Sequence, residues 1–255
     1  MEAPVPASAL IHSATLVSAG IFLIIRVYPV FENSKNLLIL IMILGAITAL
    51  FGGLISMNQS DSKKILAYST ISHCGFLMLS TSFNVLEFTI TYLYIHGFFK
   101  ALTFMAIGNV NRFNKGRQDF RTMGVFYKYL KFETFISFVG LFNLAGLPFS
   151  LGFFMKHLIF ITLLYNSILS YFIFINIFLG AITGIFYCGR LFIFIFFDFK
   201  KGLKSTYNFS YFKIANNRLF SYSTPASFVA LCFLLLFSYY FSLKILFFFI
   251  SDFYN

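Results

Sequence analysis

Four side chains that can exchange a proton lie inside otherwise apolar stretches of this chain, His12, His96, Lys100 and Lys156, with His73 and Arg190 as weaker candidates behind them. Ionisable residues at membrane depth are costly, and where they occur they mark ion or proton pathways. In "YIHGFFKALTF", His96 and Lys100 are four residues apart and share one helical face. An imidazole above an amine reads as two neighbouring stations for a proton, because a charge on one disfavours a charge on the other. Lys156 closes "AGLPFSLGFFMK", in which Gly146, Pro148 and Gly152 interrupt an apolar run. A lysine suits proton exchange better than an arginine, which keeps its proton under nearly all conditions. His12, in "SALIHSATLVSAG", is flanked by Ser8, Ser13, Thr15 and Ser18, which serve equally as a hydrated lining and as small residues for close helix packing. The competing readings are bland ones. Lys156 and Lys100 would snorkel to a headgroup, His96 and His73 would bridge helices by hydrogen bonds, and Arg190 would pair with lipid near the end of its span.

These residues need elements that hold them at depth. Of the 255 residues, 59% are hydrophobic and 11% charged, and the mean hydropathy is +0.85. Several runs approach the ~20 apolar residues that cross a bilayer. The runs are continuous, which excludes the alternating short segments of a β-barrel. The expectation is an all-α polytopic membrane protein of about seven transmembrane helices, at 8–28, 36–57, 65–83, 87–109, 133–165, 170–197 and 223–250. The run 133–165 can be read as two short spans or as one discontinuous helix. Loop charge decides. Lys63 and Lys64 lie in 58–64; Arg112, Lys115, Arg117, Arg121, Lys128 and Lys131 lie in 110–132; Lys200, Lys201, Lys204, Lys213 and Arg218 lie in 198–222. A single crossing by 133–165 brings all three loops to one face, as the positive-inside rule requires. Glu133 then opens the broken helix on that face, where a carboxylate suits a helix N-terminus.

The formal charge of +11 does not imply nucleic acid, because the basic residues sit between apolar runs and not among aromatics on a polar surface. Cys74, Cys188 and Cys232 are scattered without metal-ligand or disulfide spacing. No metal site, no nucleotide-binding glycine loop, no haem or iron–sulfur ligand set and no nucleophile–base arrangement is visible. No cofactor is therefore expected in this chain. Forty Phe and no Trp suit an AT-rich organellar genome.

Five motifs in order, "MEAPVPASALIHSATLVSAGIFLIIR", "DSKKILAYSTISHCGF", "YIHGFFKALTFMAIG", "RQDFRTMG" and "AGLPFSLGFFMK", resemble the antiporter-like subunits of respiratory complex I, the subunit 5 branch most of all. The resemblance covers residues 1–160 strongly, extends through "GIFYCGRLF", and is weak beyond 200. It implies a proton-translocating subunit of NADH:ubiquinone oxidoreductase in the mitochondrial inner membrane, with the basic loops in the matrix and no redox centre of its own. It also implies two inverted five-helix repeats, each with a broken helix, and a central axis of lysines and histidines. By motif, His12 is similar to the connecting histidine of that axis, His96 and Lys100 to the His-and-Lys helix, and Lys156 to the lysine of the second broken helix near the outer half-channel. Three positions depart from the pattern: Tyr92 stands where a second histidine is common, His73 where a glutamine is common, and His157 where an acid usually follows the lysine.

On this resemblance, residues 1–197 form the second repeat, without its first helix, plus the following helix. Residues 198–255 form a basic loop and a C-terminal span, and 198–222 is too short and polar for the family's long lateral helix. The first two thirds of the usual subunit are not in this sequence, so it reads as the C-terminal piece of a split subunit. The expected partners are the other membrane-arm subunits, a separate chain carrying the N-terminal part, and membrane lipid such as cardiolipin at the basic loops. Two alternatives are a subunit of a multi-subunit cation/proton antiporter and a scaffold without transport.

Overall fold

The computed structural model describes residues 7–83, 86–114, 116–164, 168–198 and 232–233. The expected span 223–250 and the loop 198–222 lie almost wholly outside them. Among the described residues there is no strand, and seven helices account for six of the expected spans. Helix α1 opens with wide π-helical turns over Ser8–Thr15 and continues as Leu16–Glu32. It is followed by α2 (Lys35–Asn58), α3 (Ser62–Ser82) and α4 (Leu86–Phe113). The broken span is α5 (Lys131–Ala145) and α6 (Leu151–Leu164), and α7 is Ile168–Phe192 with a π-helical continuation, Ile193–Phe197. Helix α1 runs through Pro29, beyond the expected end of its span. A proline near a helix end removes only one late backbone bond, and here it does not stop the helix.

Four stretches have the length and hydropathy of bilayer spans: Ser8–Glu32, Lys35–Asn58, Leu86–Phe113 and Tyr171–Phe197. Their outward faces carry large apolar side chains such as Leu23, Phe51 and Phe172, as a surface facing lipid requires. Helix α3 is different. It is rich in hydroxyls, begins with two lysines, and buries 15 of its 21 residues. It is the polar centre of the bundle, and its neighbours must supply the apolar shell.

Small residues let the helices approach α3. Gly45, Ala49 and Gly52 of α2 face Gly75 and Ser72 of α3, and the Ser72 hydroxyl donates to the Ala49 carbonyl at 2.8 Å. Such seams replace the hydrophobic driving force that lipid cannot provide between helices. Helix α4 packs against α3, α5 and the π-helical start of α1, while α5 and α6 both lie against α7.

One end of the bundle gathers the loops. The Ser62 amide donates to the Gln118 carbonyl at 2.9 Å and the Phe120 amide to the Ser60 carbonyl at 3.1 Å. The loop before α3 is thereby sewn to the segment 116–130. The far end of α7 arrives at the same place: Phe194 packs on Phe120 and Tyr127 on Phe197. Since α5 starts at this end and α7 finishes here, the α5–α6 segment crosses once. The geometry agrees with the loop charges for 58–64 and 110–132, and the third basic loop lies outside the described residues.

Candidate functional site

The break between α5 and α6 gives partners to backbone groups that a broken helix would otherwise abandon at membrane depth. Gly146 ends α5 in the left-handed region (φ 73°), which a residue with a side chain adopts only at a cost. Its amide donates to the Asn143 carbonyl at 3.1 Å and the next amide, Leu147, to the Phe142 carbonyl at 3.4 Å, a Schellman-type closure. On the other side, the Asn143 side-chain oxygen accepts from the Leu151 amide at 3.2 Å, and the Ser150 hydroxyl accepts from the Phe153 amide at 3.2 Å. Asn143 thus belongs to one half-helix and caps the next. Gly152 lies directly against the Asn143 carbonyl, where a Cβ has no room.

Two carbonyls at the end of α5 remain, and Lys156 takes both. Its ammonium turns back from α6 and donates to the Leu144 and Ala145 carbonyls, each at 2.9 Å. The cation therefore rests at the negative end of the α5 dipole, 5.6 Å above the Phe76 ring of α3. It is 5% exposed. The snorkelling alternative fails, because the side chain points along the protein interior and not to a headgroup.

Lys100 is fully buried on α4, with its ammonium donating to the Ser69 hydroxyl and, at 3.3 Å, to the Leu66 carbonyl. One turn earlier His96 is also buried, and its Nε2 has no hydrogen-bond partner among the described residues. A buried polar atom left open in this way is uncommon and costly.

His96 is stacked on His73 of α3, with ring centroids 5.0 Å apart. Both nitrogens of His73 are engaged: Nδ1 pairs with the Tyr92 hydroxyl of α4 at 3.1 Å, and Nε2 with the Tyr187 hydroxyl of α7 at 3.5 Å. His73 also approaches Phe76, at 6.3 Å between ring centroids, which puts it between the His96–Lys100 face and the Lys156 side. The structure thus brings His96, Lys100 and Lys156 around α3. His12, half-buried in the π-helical start of α1 that packs on α4, has no hydrogen bond to this group among the described residues. Arg190 neither snorkels nor seeks lipid. Its guanidinium donates to the Met57 carbonyl and lies 4.9 Å over the Phe120 ring, clamping α7 to the end of α2. No group of three His, Cys, Asp or Glu side chains converges among the described residues.

Residues 1–183 match the family described as NADH:quinone oxidoreductase/Mrp antiporter, a transmembrane domain. The chain belongs to this family. It is similar to NADH-ubiquinone oxidoreductase chain 5 of Paramecium tetraurelia, with 50% identity over 234 residues, 91% of this chain and 40% of that one. It is also similar to chain 5 of Acanthamoeba castellanii, with 40% identity over 199 residues, 77% of this chain and 29% of that one. The chain thus spans less than half the length of these antiporter-family relatives. Among solved structures, a chain of an archaeal membrane-bound sulfane sulfur reductase shares the fold with a TM-score of 0.75 at 21% identity, over 96% of this chain and 47% of that one. A chain of the Mrp complex from Dietzia does so with a TM-score of 0.63 at 22% identity, over 71% and 34%.

Of the side chains that the sequence singles out, His96, Lys100 and Lys156 come together here, while His73 stands behind them in that reading and Tyr187 and Ser69 have no part in it. The available signal was the pair of departures at positions 73 and 92. They lie on different helices, and the hydrogen bond between them makes them one feature.

Proposed function

We propose that this chain is a membrane-arm subunit of a proton-translocating NADH:ubiquinone oxidoreductase of the mitochondrial inner membrane. Residues 1–197 would form its second antiporter-like repeat and the following helix. The basic loops 58–64, 110–132 and 198–222 would face the matrix, where exposed basic side chains such as Lys64 can meet the headgroups of cardiolipin. The chain holds no cofactor and carries protons only, the redox chemistry being done by other subunits. The observation that carries this reading is the burial of Lys100 and Lys156 against α3, each held by neutral acceptors and not by a carboxylate. An amine solvated only by carbonyls and a hydroxyl can lose its proton without stranding a buried anion.

In the proposed path a proton enters through His12, passes His96 and Lys100, and leaves from Lys156. At Lys156 the ammonium is stabilised by the Leu144 and Ala145 carbonyls, so positive charge arriving nearby would push its proton outward. The identity of 50% with a chain 5 favours this over a cation/proton antiporter. The other membrane-arm subunits are its partners, together with whichever chain carries the helices that precede these in the longer relatives. The test is NADH-driven proton uptake in proteoliposomes holding the purified complex. Replacing Lys100 or Lys156 by Ala should lower it about 100-fold, the scale of a lost proton-transfer group. Full coupled pumping in both variants would sink the assignment. Co-purification without NADH dehydrogenase activity, but with sodium-dependent antiport, would support the antiporter.

A further inference from the structure

The geometry points to the outer face of the α5–α6 break as a docking surface for a membrane helix of a neighbouring subunit, one that brings an aspartate or glutamate to His157. The inference rests on the reading of this chain as part of a multi-subunit membrane complex and adds the place of contact and its chemistry. Helix α5 has 15 residues, which at about 1.5 Å each advance about 22 Å from the loop end of the bundle. The hydrocarbon core is about 30 Å thick, so the break lies inside it. There Pro148 and Phe149 are turned out of the bundle, and Phe149 is 99% exposed.

Phe149 also holds an uncommon backbone. The Ser150 amide donates to the Leu147 carbonyl at 3.1 Å, which makes Pro148 and Phe149 the centre of a turn. Phe149 has φ 66°, a conformation that turns of this kind give to glycine at the third position. A bulky side chain adopts it only at a cost. The ring that this strained backbone presents meets almost nothing of its own chain. The Phe149 amide and the Pro148 and Phe149 carbonyls make no hydrogen bond among the described residues.

Helix α6 adds a second exposed strip directly after the break, with Phe154, His157 and Ile161 on one face. The His157 ring stacks on Phe153 with centroids 5.5 Å apart, and it has no hydrogen bond or ion pair among the described residues. Lipid does not suit this surface, because open peptide groups and an imidazole are costly in hydrocarbon. Water does not suit it either, because Pro148, Phe149, Phe154 and Ile161 are apolar. A protein surface that is apolar with one polar group suits both. That group is a carboxylate, since ionisable residues at membrane depth pair with one another. Between Glu133 and Asp198 this chain has no Asp or Glu, so the acid comes from another chain.

The test uses the intact complex in its native membrane, with a photo-reactive phenylalanine analogue at position 149. Irradiation should join it to a membrane-spanning segment of another subunit that carries an Asp or Glu within two turns of the attachment point. Attachment only to lipid, to a second copy of this chain, or to residues 199–255 of the same chain would each overturn the inference. Phe149→Gly suits the turn and removes the ring, so the chain should still insert but dissociate from the complex in mild detergent about tenfold faster. Native retention of that variant would overturn the surface. His157→Asp should weaken retention similarly, and a lysine in place of the partner's carboxylate should bring it back to within about threefold of native. No such recovery would overturn the assigned acid. If no NADH dehydrogenase subunit co-purifies but the attachment to a membrane helix forms, the surface stands and the functional reading fails. If NADH dehydrogenase co-purifies and only lipid is labelled, the surface alone is wrong.

Discussion

Lys156 and Asp119 show how one ionic residue can be secured by very different surroundings. Lys156 closes the end of α5, so Lys156→Ala removes a proton carrier and also leaves the Leu144 and Ala145 carbonyls without their donor. The second effect should cost about 1–3 kcal/mol, visible as a lower denaturation midpoint of the purified complex. Lys156→Arg separates the two roles. It retains a donor for the carbonyls but holds its proton, so the complex should assemble and fail to pump. Asp119 lies outside the membrane, where its side-chain hydrogen bond with Arg121 holds the carboxyl below the usual carboxylate range. Its folded value is depressed, so its contribution is complete above the ordinary value of about 4 and is lost as pH falls through the folded value. The protection factors of the amides in 116–123, each taken relative to the intrinsic exchange rate at that pH, should therefore fall on acidification from about pH 6 to about pH 3. Asp119→Asn should produce the same loosening at neutral pH; unchanged protection there would refute the role.

At the scale of the element, the α5–α6 break is one construction and not a weak point in a helix. Asn143 and Lys156 each satisfy groups of the opposite half-helix, Gly146 turns the chain, and Gly152 admits the Asn143 carbonyl. Gly152→Val should force the halves apart and cost about 1–3 kcal/mol, as overpacking does. Pumping should fall with stability, since the same shift pulls Lys156 off its carbonyls. A variant with native stability and native pumping would show that the close approach is dispensable. Much of this element was legible beforehand: Gly-Leu-Pro followed by a lysine announced a broken span, and loop charge counted it as one crossing. The reciprocal capping was not legible, because Asn143 is an ordinary polar residue until Leu151 is brought to it.

For the whole molecule, the decisive contacts are those that gather the loops at one end. Ser60, Ser62, Gln118 and Phe120 tie two of them together, and Arg190 ties α7 to α2 there. Cysteines introduced at Gln59 and Arg117 should react with an impermeant maleimide from the same membrane face. A cysteine at Asn33 should react from the opposite one. Reaction of Gln59 and Arg117 from opposite faces would overturn the single crossing of α5–α6.

What the sequence by itself determined is what depends on position along one chain: span lengths, the break, the face shared by His96 and Lys100, and the topology implied by loop charge. These are local periodicities and sums, and folding does not alter them. What only the tertiary structure decided is which helices bring their polar residues together. His73 looked like a lone histidine because its partners, Tyr92 and Tyr187, are 19 and 114 residues away. Arg190 looked like a lipid anchor because Met57 is 133 residues away and Phe120 is on a distant loop. A polar side chain in lipid must find a partner, and its identity is fixed by helix packing, which no spacing in the sequence records.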